Sequence, residues 1–340
     1  MTNIQGQADI RIEHDNSERI ADITELVTSA TWSGDDNEAY RTLEVTFNNT
    51  IDGRTRRINF QNGDMLRFYN HGTELFRGRT FAFSTTHTGD ESLTIFDTNV
   101  YFTKSQTTRT FRNLTAGGIL RRLATEFGVT IGVIEDTGFV IPKLVAEGDN
   151  LFDIIKVALN ITEKQTGRKF RLSNRQGRVY LEEQKNRIVR DILESGVNIL
   201  TADYSQSVED LRNRLIMTGG NDGQFREVRV NQELIRRFGL MQAVETYSGN
   251  EVTASEVKQA ADERFAELST ILDTASITCL GNDEITAGKS VYVIEKMTGI
   301  IGGYYVTADS HTFGGGMHEM SLTLTAAPDL PKIVIEGGAA

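Results

Sequence analysis

Two stretches of the chain carry the same succession of short β-type segments, one near the N-terminus and one near the C-terminus. The earlier stretch spans residues 62–96 and the later one spans Thr286–Pro328. In both, runs of β-branched and aromatic residues are bounded by Gly, Asn or Asp. This pattern is typical of successive antiparallel strands joined by tight turns. The repetition therefore predicts two similar antiparallel β-barrels.

The match between the copies is closest at their two ends. Each copy opens on a turn with a glycine, Gly63 in the earlier copy and Gly288 in the later one, and an apolar strand pattern follows directly. Near the far end, Ser92-Leu93-Thr94-Ile95 is matched by Ser321-Leu322-Thr323-Leu324. The two copies thus agree in the order of their segments as well as in composition.

The repeat also extends upstream of the glycine turns. Leu200–Ser207 followed by Asn213–Thr218 mirrors Thr28–Trp32 followed by Arg41–Phe47. In the segment Arg41–Phe47, Leu43, Val45 and Phe47 alternate with polar residues and are expected to share one buried face of a strand. We therefore expect each barrel to include a pair of strands of this kind.

Composition and charge exclude several classes of protein. The chain has 340 residues, with 36 Lys and Arg against 47 Asp and Glu, for a net charge of -11. Affinity for phosphate depends on clustered cations, so this balance disfavours nucleic-acid binding as the main activity. No apolar run approaches the roughly 18 to 20 residues that cross a bilayer, and the polar start does not match a signal peptide. We expect a protein that is made and kept in a cytoplasm or is released without the Sec route, with no membrane insertion.

A change of hydrophobic period marks a separate unit between the barrels. Apolar residues fall at helical spacing from Ala116 to Phe127, and a second amphipathic helix begins after the candidate N-cap Asn150 and ends near Gly167. A hairpin follows, in which Phe170 and Leu172 pair with Val179 and Leu181. Residues 106–187 therefore read as a small α+β domain.

The second barrel is interrupted by a helical insertion at residues 219–273. In that insertion Thr253 and Glu256 match a capping box, and an apolar stripe follows them. The predicted fold class is α+β and mostly β: two tube-type barrel domains with an α+β domain between them. The predicted limits are 1–105 for the first barrel, 106–187 for the α+β domain, 188–330 for the second barrel and 331–340 for a flexible tail.

A search for chemistry finds no convincing catalytic or cofactor site. His87 and His311 fall at matching places of the repeat, which indicates packing, and His311 and His318 have no evident third partner for a metal. The stretch Gly281–Ser290 resembles a phosphate-binding loop, but Asp283 stands where the first glycine is required and a strand pattern follows. The lone Cys279 lies in an apolar run. We predict a protein that is not an enzyme and has no cofactor or metal.

The middle unit resembles a known family. Leu114–Leu120, Thr137–Pro142, Asn150–Ile155 and Lys164–Phe170 are similar to the baseplate hub proteins of contractile phage tails and phage-tail-like bacteriocins. The resemblance is to the late-control protein D-like type found in defective prophages of Gram-positive bacteria, and the flanking barrels agree with it. It therefore covers nearly the whole chain.

The resemblance implies a structural role in a virion or phage-tail-like particle. In that family three identical subunits form a ring, and each subunit contributes two barrels to it. The ring adapts the hexameric tail tube to the trimeric spike. The implied partners are the tail tube protein, the spike protein, the tape measure protein and other baseplate proteins. The family contributes no catalytic residues.

The repeated strands after the glycine turns are the candidates for forming the ring. They lie near residues 62–68 and 288–294, and repetition alone motivates the choice. The candidate ring-interface residues are Gly63, Leu66, Phe68, Gly288, Val291 and Val293.

Two other functions stay open at the level of sequence. A distal-tail or tail-associated hub of a non-contractile phage shares the barrel arrangement. A cell-wall-binding or peptidoglycan-active module is the alternative from another class, but it would need a cleft with a nucleophile or carboxylate, or an aromatic platform, and the chain has one Trp, Trp32.

Overall fold

The computed structural model describes residues 5–184, 188–248 and 252–326, so the predicted flexible tail lies outside the described residues. Strands account for 51% of the chain and helices for 20%, which confirms the mostly-β prediction. Thirteen strands belong to one large sheet, and three smaller sheets hold the others. The domain limits given above stay predictions.

Seven strands of the large sheet come from the N-terminal hundred residues. They are β1 (Ile10–Asp15), β2 (Ile20–Asp22), β3 (Val27–Asp35), β4 (Thr42–Asn48), β5 (Met65–Asn70), β6 (Thr73–Thr85) and β7 (Asp90–Asp97). Strand β4 shows why they form: Leu43, Val45 and Phe47 are buried and the residues between them are not, as the alternation predicts. We call the order β3-β4-β7-β6-β5 the first sheet copy.

Six further strands of the large sheet come from the C-terminal half. They are β13 (Ile188–Glu194), β14 (Ile199–Ser207), β18 (Leu272–Leu280), β19 (Ser290–Ile294), β20 (Ile301–Gly314) and β21 (Met317–Ala326). Five of them run in the order β14-β18-β21-β20-β19, which we call the second sheet copy. Position by position this order repeats that of the first copy. The internal repeat is therefore a repeat of sheet topology.

The two copies do not form two closed barrels. Strand β20 pairs with β19 through its first residues and with β3 of the first copy through Ala308–Phe313. Because β20 continues into the first copy, the two copies join in one sheet, and neither closes on itself within the residues that the structure describes. The prediction of two separate barrels is thus not met, since each copy has the strand pattern of the other and their edges can pair.

The chain between the copies supplies most of the helix. Its elements are α1 (Val100–Lys104), β8 (Gln106–Thr115), α2 (Ala116–Glu126), β9 (Ile131–Ile134), β10 (Val140–Asn150), α3 (Leu151–Thr166), β11 (Phe170–Arg175) and β12 (Arg178–Glu183). Asn150 caps α3 by accepting from the Asp153 N–H, and Gly167 ends it with φ +69°. Leu172 lies opposite Leu181 in the β11–β12 hairpin. The predicted helices and the hairpin are confirmed, but Phe170 lies opposite Glu183 and Val179 lies opposite Asn174, so the predicted pairing holds only for Leu172 and Leu181. These elements pack around a shared core.

Residues Tyr204–Ala275 form a second compact unit of the chain. It contains β15 (Arg214–Gly219), β16 (Phe225–Val230), α4 (Gln232–Phe238), β17 (Gln242–Tyr247) and α5 (Ala254–Leu268). The capping box of Thr253 and Glu256 at the start of α5 is confirmed. Strand β15 pairs with β16 and β17. The proposed match of Asn213–Thr218 with Arg41–Phe47 is therefore wrong, because by sheet order the counterpart of β4 is β18.

Candidate functional site

The two glycine turns have the same hydrogen-bond geometry. The Gly63 N–H donates to the Thr80 carbonyl at 2.8 Å, and the Gly288 N–H donates to the Val306 carbonyl at 2.7 Å. Both glycines have positive φ, +97° and +79°, which a residue with a side chain adopts at a cost. The pairing register of β6 and of β20 shifts directly after Thr80 and Val306. Turn and β-bulge together thus form a repeated device that bends each long strand.

The candidate ring-interface residues lie on this device but face inward. Gly63 and Gly288 occupy the turns, and the four apolar candidates are buried in the chain itself: Leu66, Phe68, Val291 and Val293. A buried side chain cannot contact another subunit directly. Strand β5 already pairs with β1 and β6, and β19 pairs with β13 and β20, so any part that they take in a ring is left to outward-facing residues such as Arg67 and Tyr292. Their role in a ring stays a prediction.

Buried polar groups lie at the junction of the two copies, among them Asp309 and His311 of β20. Strand β20 runs antiparallel to β3, with Ser310 opposite Ser33 and His311 opposite Trp32. The Asp36 N–H extends the pairing by donating to the Thr307 carbonyl at 2.7 Å. The junction is thus a full stretch of sheet rather than a packing contact.

An ion pair between the copies lies at this junction. Arg41 Nη1 donates to Asp309 Oδ1 at 2.8 Å, and Nη2 donates to Oδ2. The Ala287 N–H also donates to Asp309 Oδ1, at 2.6 Å. The Asp309 side chain has no exposed surface. Burial acts to raise the pKa of Asp309, but the Arg41 guanidinium outweighs it and holds that pKa well below its usual range.

Arg41 also organises the groups around it. Its guanidinium lies over the Trp32 ring at 4.0 Å from the centroid, and its own backbone N–H donates to Asp97 Oδ2 at 2.8 Å. Burial raises the pKa of Asp97 to about 7, although the N–H groups of Arg41 and Asn99 oppose the rise. Arg41 therefore connects β3, β7 and β20.

Two histidines meet on the second copy beside the junction. His311 Nδ1 and His318 Nε2 are 2.9 Å apart, and His311 Nε2 lies 2.9 Å from the Ile285 carbonyl. Burial and the neighbouring His311 and His71 lower the pKa of His318 to about 3. His87, by contrast, is exposed in a turn. The proposed shared packing role of His87 and His311 is therefore wrong.

The remaining sequence features behave as ordinary structure. The stretch resembling a phosphate-binding loop is a turn leading into β19, as predicted. Burial raises the pKa of the Cys279 thiol to about 12, which keeps it protonated. Within the described ranges no group of three or more His, Cys, Asp or Glu is placed to hold a metal ion. No helix in that part of the chain is long and apolar enough to cross a membrane.

Sequence reasoning missed the ion pair at the junction. Arg41 and Asp309 are 268 residues apart, and each stands in an ordinary polar context. The only available signal was the repeat itself, since two copies of one strand pattern can pair edge to edge. Nothing in either segment marks its partner.

Known proteins share both the sequence and the fold. The model of the YQBQ-like family matches residues 30–325. The phage-like element PBSX protein XkdQ of Bacillus subtilis is 31% identical over 91% of this chain and 95% of its own length. Among solved structures, the 43 kDa tail protein of prophage MuSo2 from Shewanella oneidensis aligns with a TM-score of 0.70 at 13% identity, covering 93% of this chain and 97% of its own.

A more distant structural likeness is the E. coli c3393 protein. Its TM-score is 0.52 at 9% identity, and the alignment covers 96% of this chain and 76% of its own. That protein is described as a component of the type VI secretion system with structural similarity to the T4 bacteriophage tail proteins gp27 and gp5. These likenesses establish a shared fold, and the match over residues 30–325 establishes the family. The chain belongs to the YQBQ-like family and has the fold of prophage tail proteins.

Proposed function

We propose that this protein is the structural hub of a phage tail or phage-tail-like particle, a homotrimeric ring that adapts a hexameric tail tube to a trimeric spike. The observation that carries the proposal is the duplicated sheet order β3-β4-β7-β6-β5 and β14-β18-β21-β20-β19 within one chain. Three chains would then present six equivalent sheet copies.

Symmetry gives the duplication a purpose. A ring that contacts a sixfold partner on one face needs six similar surfaces, and a threefold partner on the other face needs three. A trimer of a duplicated module provides both, because the two copies in a chain are alike in topology and differ in their insertions. The second copy carries the unit Tyr204–Ala275, which has no counterpart between β3 and β4.

The relatives support a role in a tail particle. XkdQ is named for a phage-like element, and the MuSo2 protein is named as a tail protein. The c3393 protein is compared with two T4 tail proteins. On this basis the proposed place of work is the baseplate, with the tail tube, spike and tape measure proteins as partners, and no catalytic step is assigned.

Light scattering on the purified protein tests the oligomeric part of the proposal. The expected mass is about three times the 37.8 kDa of one chain. Negative-stain images of the same sample should show a threefold ring with a central channel. A stable monomer that also fails to co-purify with the tail tube protein of the same particle would contradict the hub.

A further inference from the structure

Strand β6 has an open edge where its counterpart β20 has a neighbour. Strand β5 covers β6 only from Thr73 to Arg79, while β7 covers the other side as far as Thr85. In the second copy β19 covers the first part of β20, and β3 covers Ala308–Phe313 on that same side. Within the described residues, the segment 81–85 of β6 thus lacks the neighbour that β20 has.

The side chains at matching positions of β6 and β20 differ in their exposure in the same way. Thr80 and Val306 precede the bulge in the two copies, so Phe83 corresponds to Asp309 and Thr85 to His311. Phe83 is 42% exposed, whereas Asp309 is 4% exposed. Thr85 is exposed and His311 is buried. An exposed phenylalanine on an open sheet edge is typical of an edge that another strand covers.

Strand β14 offers the complementary edge. It corresponds to β3 in the repeated sheet order and has the same length of nine residues. Its sheet order ends there: β14 pairs with β18 and has no strand beyond it among the residues described. Trp32 of β3 is 5% exposed, whereas Tyr204, which aligns with it, is 46% exposed and donates to Asp273 at 2.9 Å.

A long exposed strand edge is usually paired with another segment or blocked in a native protein. Most edges are shortened, bulged or blocked by proline or inward-pointing charge, because unpaired backbone groups template pairing with other chains. Strand β14 contains no proline, and of its nine residues only Ile199 forms an isolated bridge, to Ser195. Its outward groups are accessible, since most of its residues are exposed.

We propose that residues 81–85 of β6 in one subunit pair antiparallel with β14 of the next subunit, repeating the junction of β20 with β3. Transferring the register of that junction places Phe83 opposite Gln206, Ser84 opposite Ser205 and Thr85 opposite Tyr204. The interface is head to tail, because each chain presents one edge of each kind. Head-to-tail contacts form a ring when the rotation closes. This inference deepens the proposed trimer and rests on it.

The pair Ser84 and Ser205 gives a direct test of the register. Opposed residues on antiparallel strands have Cα atoms about 4.5–5.5 Å apart, which a disulfide can bridge. The S84C/S205C variant should form disulfide-linked dimers and trimers under mild oxidation, resolved on a non-reducing gel and lost on reduction. Each single variant should stay a monomer on the gel. The native Cys279 is buried and does not compete.

Two control variants test whether a cross-link reports the proposed pairing between subunits. Ser33 and Ser310 are opposed within one chain, so S33C/S310C should form an intrachain disulfide and no ladder. Thr201 lies four residues from Ser205 on the same face of β14, so S84C/T201C should cross-link at least tenfold less than S84C/S205C, because the strands hold those positions too far apart.

The outcomes separate this inference from the hub. A trimer by light scattering without a cross-link in S84C/S205C overturns the strand pairing and leaves the hub standing. A cross-linked trimer that does not capture the tail tube protein supports the pairing and counts against the hub. A ladder that continues beyond three subunits overturns closure at three, and equal cross-linking in S84C/T201C overturns the register.

Discussion

A single arginine connects the two sheet copies at the level of side chains. Arg41 makes a two-pronged contact with Asp309 across the junction and stacks on Trp32. Both partners are largely removed from water: the side chain of Arg41 is 14% exposed and that of Asp309 is fully buried. A buried pair of this kind is costly to break, because the remaining charge has no water around it.

We expect Arg41→Leu to lower the free energy of unfolding by about 3–5 kcal/mol, the usual result of removing one partner of a buried ion pair. Denaturant unfolding followed by Trp32 fluorescence measures the loss at the junction itself. Arg11→Ala is the matched control, since Arg11 is 47% exposed in its pair with Glu13, and should cost at most about 1 kcal/mol. Equal losses in the two variants would contradict a junction held by Arg41.

His318 makes the stability of the protein depend on pH. Its pKa in the folded protein is about 3 against 6.5 in its ordinary state, so the unfolded chain takes up the proton first. The contribution of this group is fully present above pH 6.5 and is lost as the pH falls towards 3. We expect His318→Gln to flatten the decline of the unfolding free energy between pH 6.5 and 4.

The exposed His87 provides the control for this measurement. His87→Gln should reproduce the pH profile of the unsubstituted protein, because this side chain is exposed in a turn and is not one of the two paired histidines. Asp97 acts in the opposite direction, since its raised pKa makes the unfolding free energy fall as the pH rises from 3.8 to about 7. The difference between variant and parent, rather than the absolute slope, is therefore the quantity to compare. A parallel decline in His318→Gln and the parent would refute the assignment.

At the scale of elements, the repeated device is a glycine turn followed by a bulged long strand. The bulge after Val306 lets β20 change neighbours along its length, and the bulge after Thr80 lies where β5 stops covering β6. The first part of each strand pairs within its own copy, and the second part of β20 pairs with β3. The turn and bulge thus leave the second part of β20 free to pair with β3.

Alanine substitutions at the two turn glycines should differ in cost. Both glycines have positive φ, so each change should cost about 1 kcal/mol through backbone strain. A Cβ at position 63 meets open space, whereas a Cβ at position 288 would clash with the Arg171 side chain. We expect Gly288→Ala to cost roughly 1 kcal/mol more than Gly63→Ala, because Arg171 must move. Thermal unfolding of both variants measures this, and equal shifts would show that Arg171 yields freely.

At the scale of the whole molecule, the second sheet copy is interrupted where the first is not. Between β3 and β4 the chain needs only residues 36–41, whereas residues 208–271 stand between β14 and β18. The compact unit Tyr204–Ala275 has a small core of its own that includes Leu215, Met217 and Val257. The segment 208–271 is therefore an addition to a sheet copy whose strand order is complete without that segment.

Replacing residues 208–271 with the six-residue link 36–41 should leave the large sheet folded. The unfolding free energy measured through Trp32 should change by less than about 1 kcal/mol, because the junction and the core clusters that contain Phe47 and Leu120 are kept. Circular dichroism should show the loss of α4 and α5 with retention of strand. Loss of a cooperative Trp32 transition in the shortened chain would mean that the unit is needed for the sheet.

The sequence by itself determined the local elements. Helix α3 begins at Asn150 and ends at Gly167 as its cap residues predict, and α5 begins at the capping box of Thr253. The alternation of Leu43, Val45 and Phe47 identified β4 and its buried face. The repeat identified the strand series β5-β6-β7 and β19-β20-β21 and their glycine turns. All of these depend on neighbours within a few residues, which the sequence displays directly.

Only the tertiary structure decided which strand edges meet. Backbone hydrogen bonds at an edge are nearly independent of side-chain identity, so the pattern of β20 is compatible with closing its own barrel and with joining β3. The choice depends on the Arg41–Asp309 pair, whose residues are 268 positions apart, and on the bulge that turns β20 towards the first copy. The same reason explains why the sequence pattern of β15 wrongly indicated a repeat of β4. The pattern predicts that a segment forms a strand, but partners far away in the chain determine the position of that strand in a sheet.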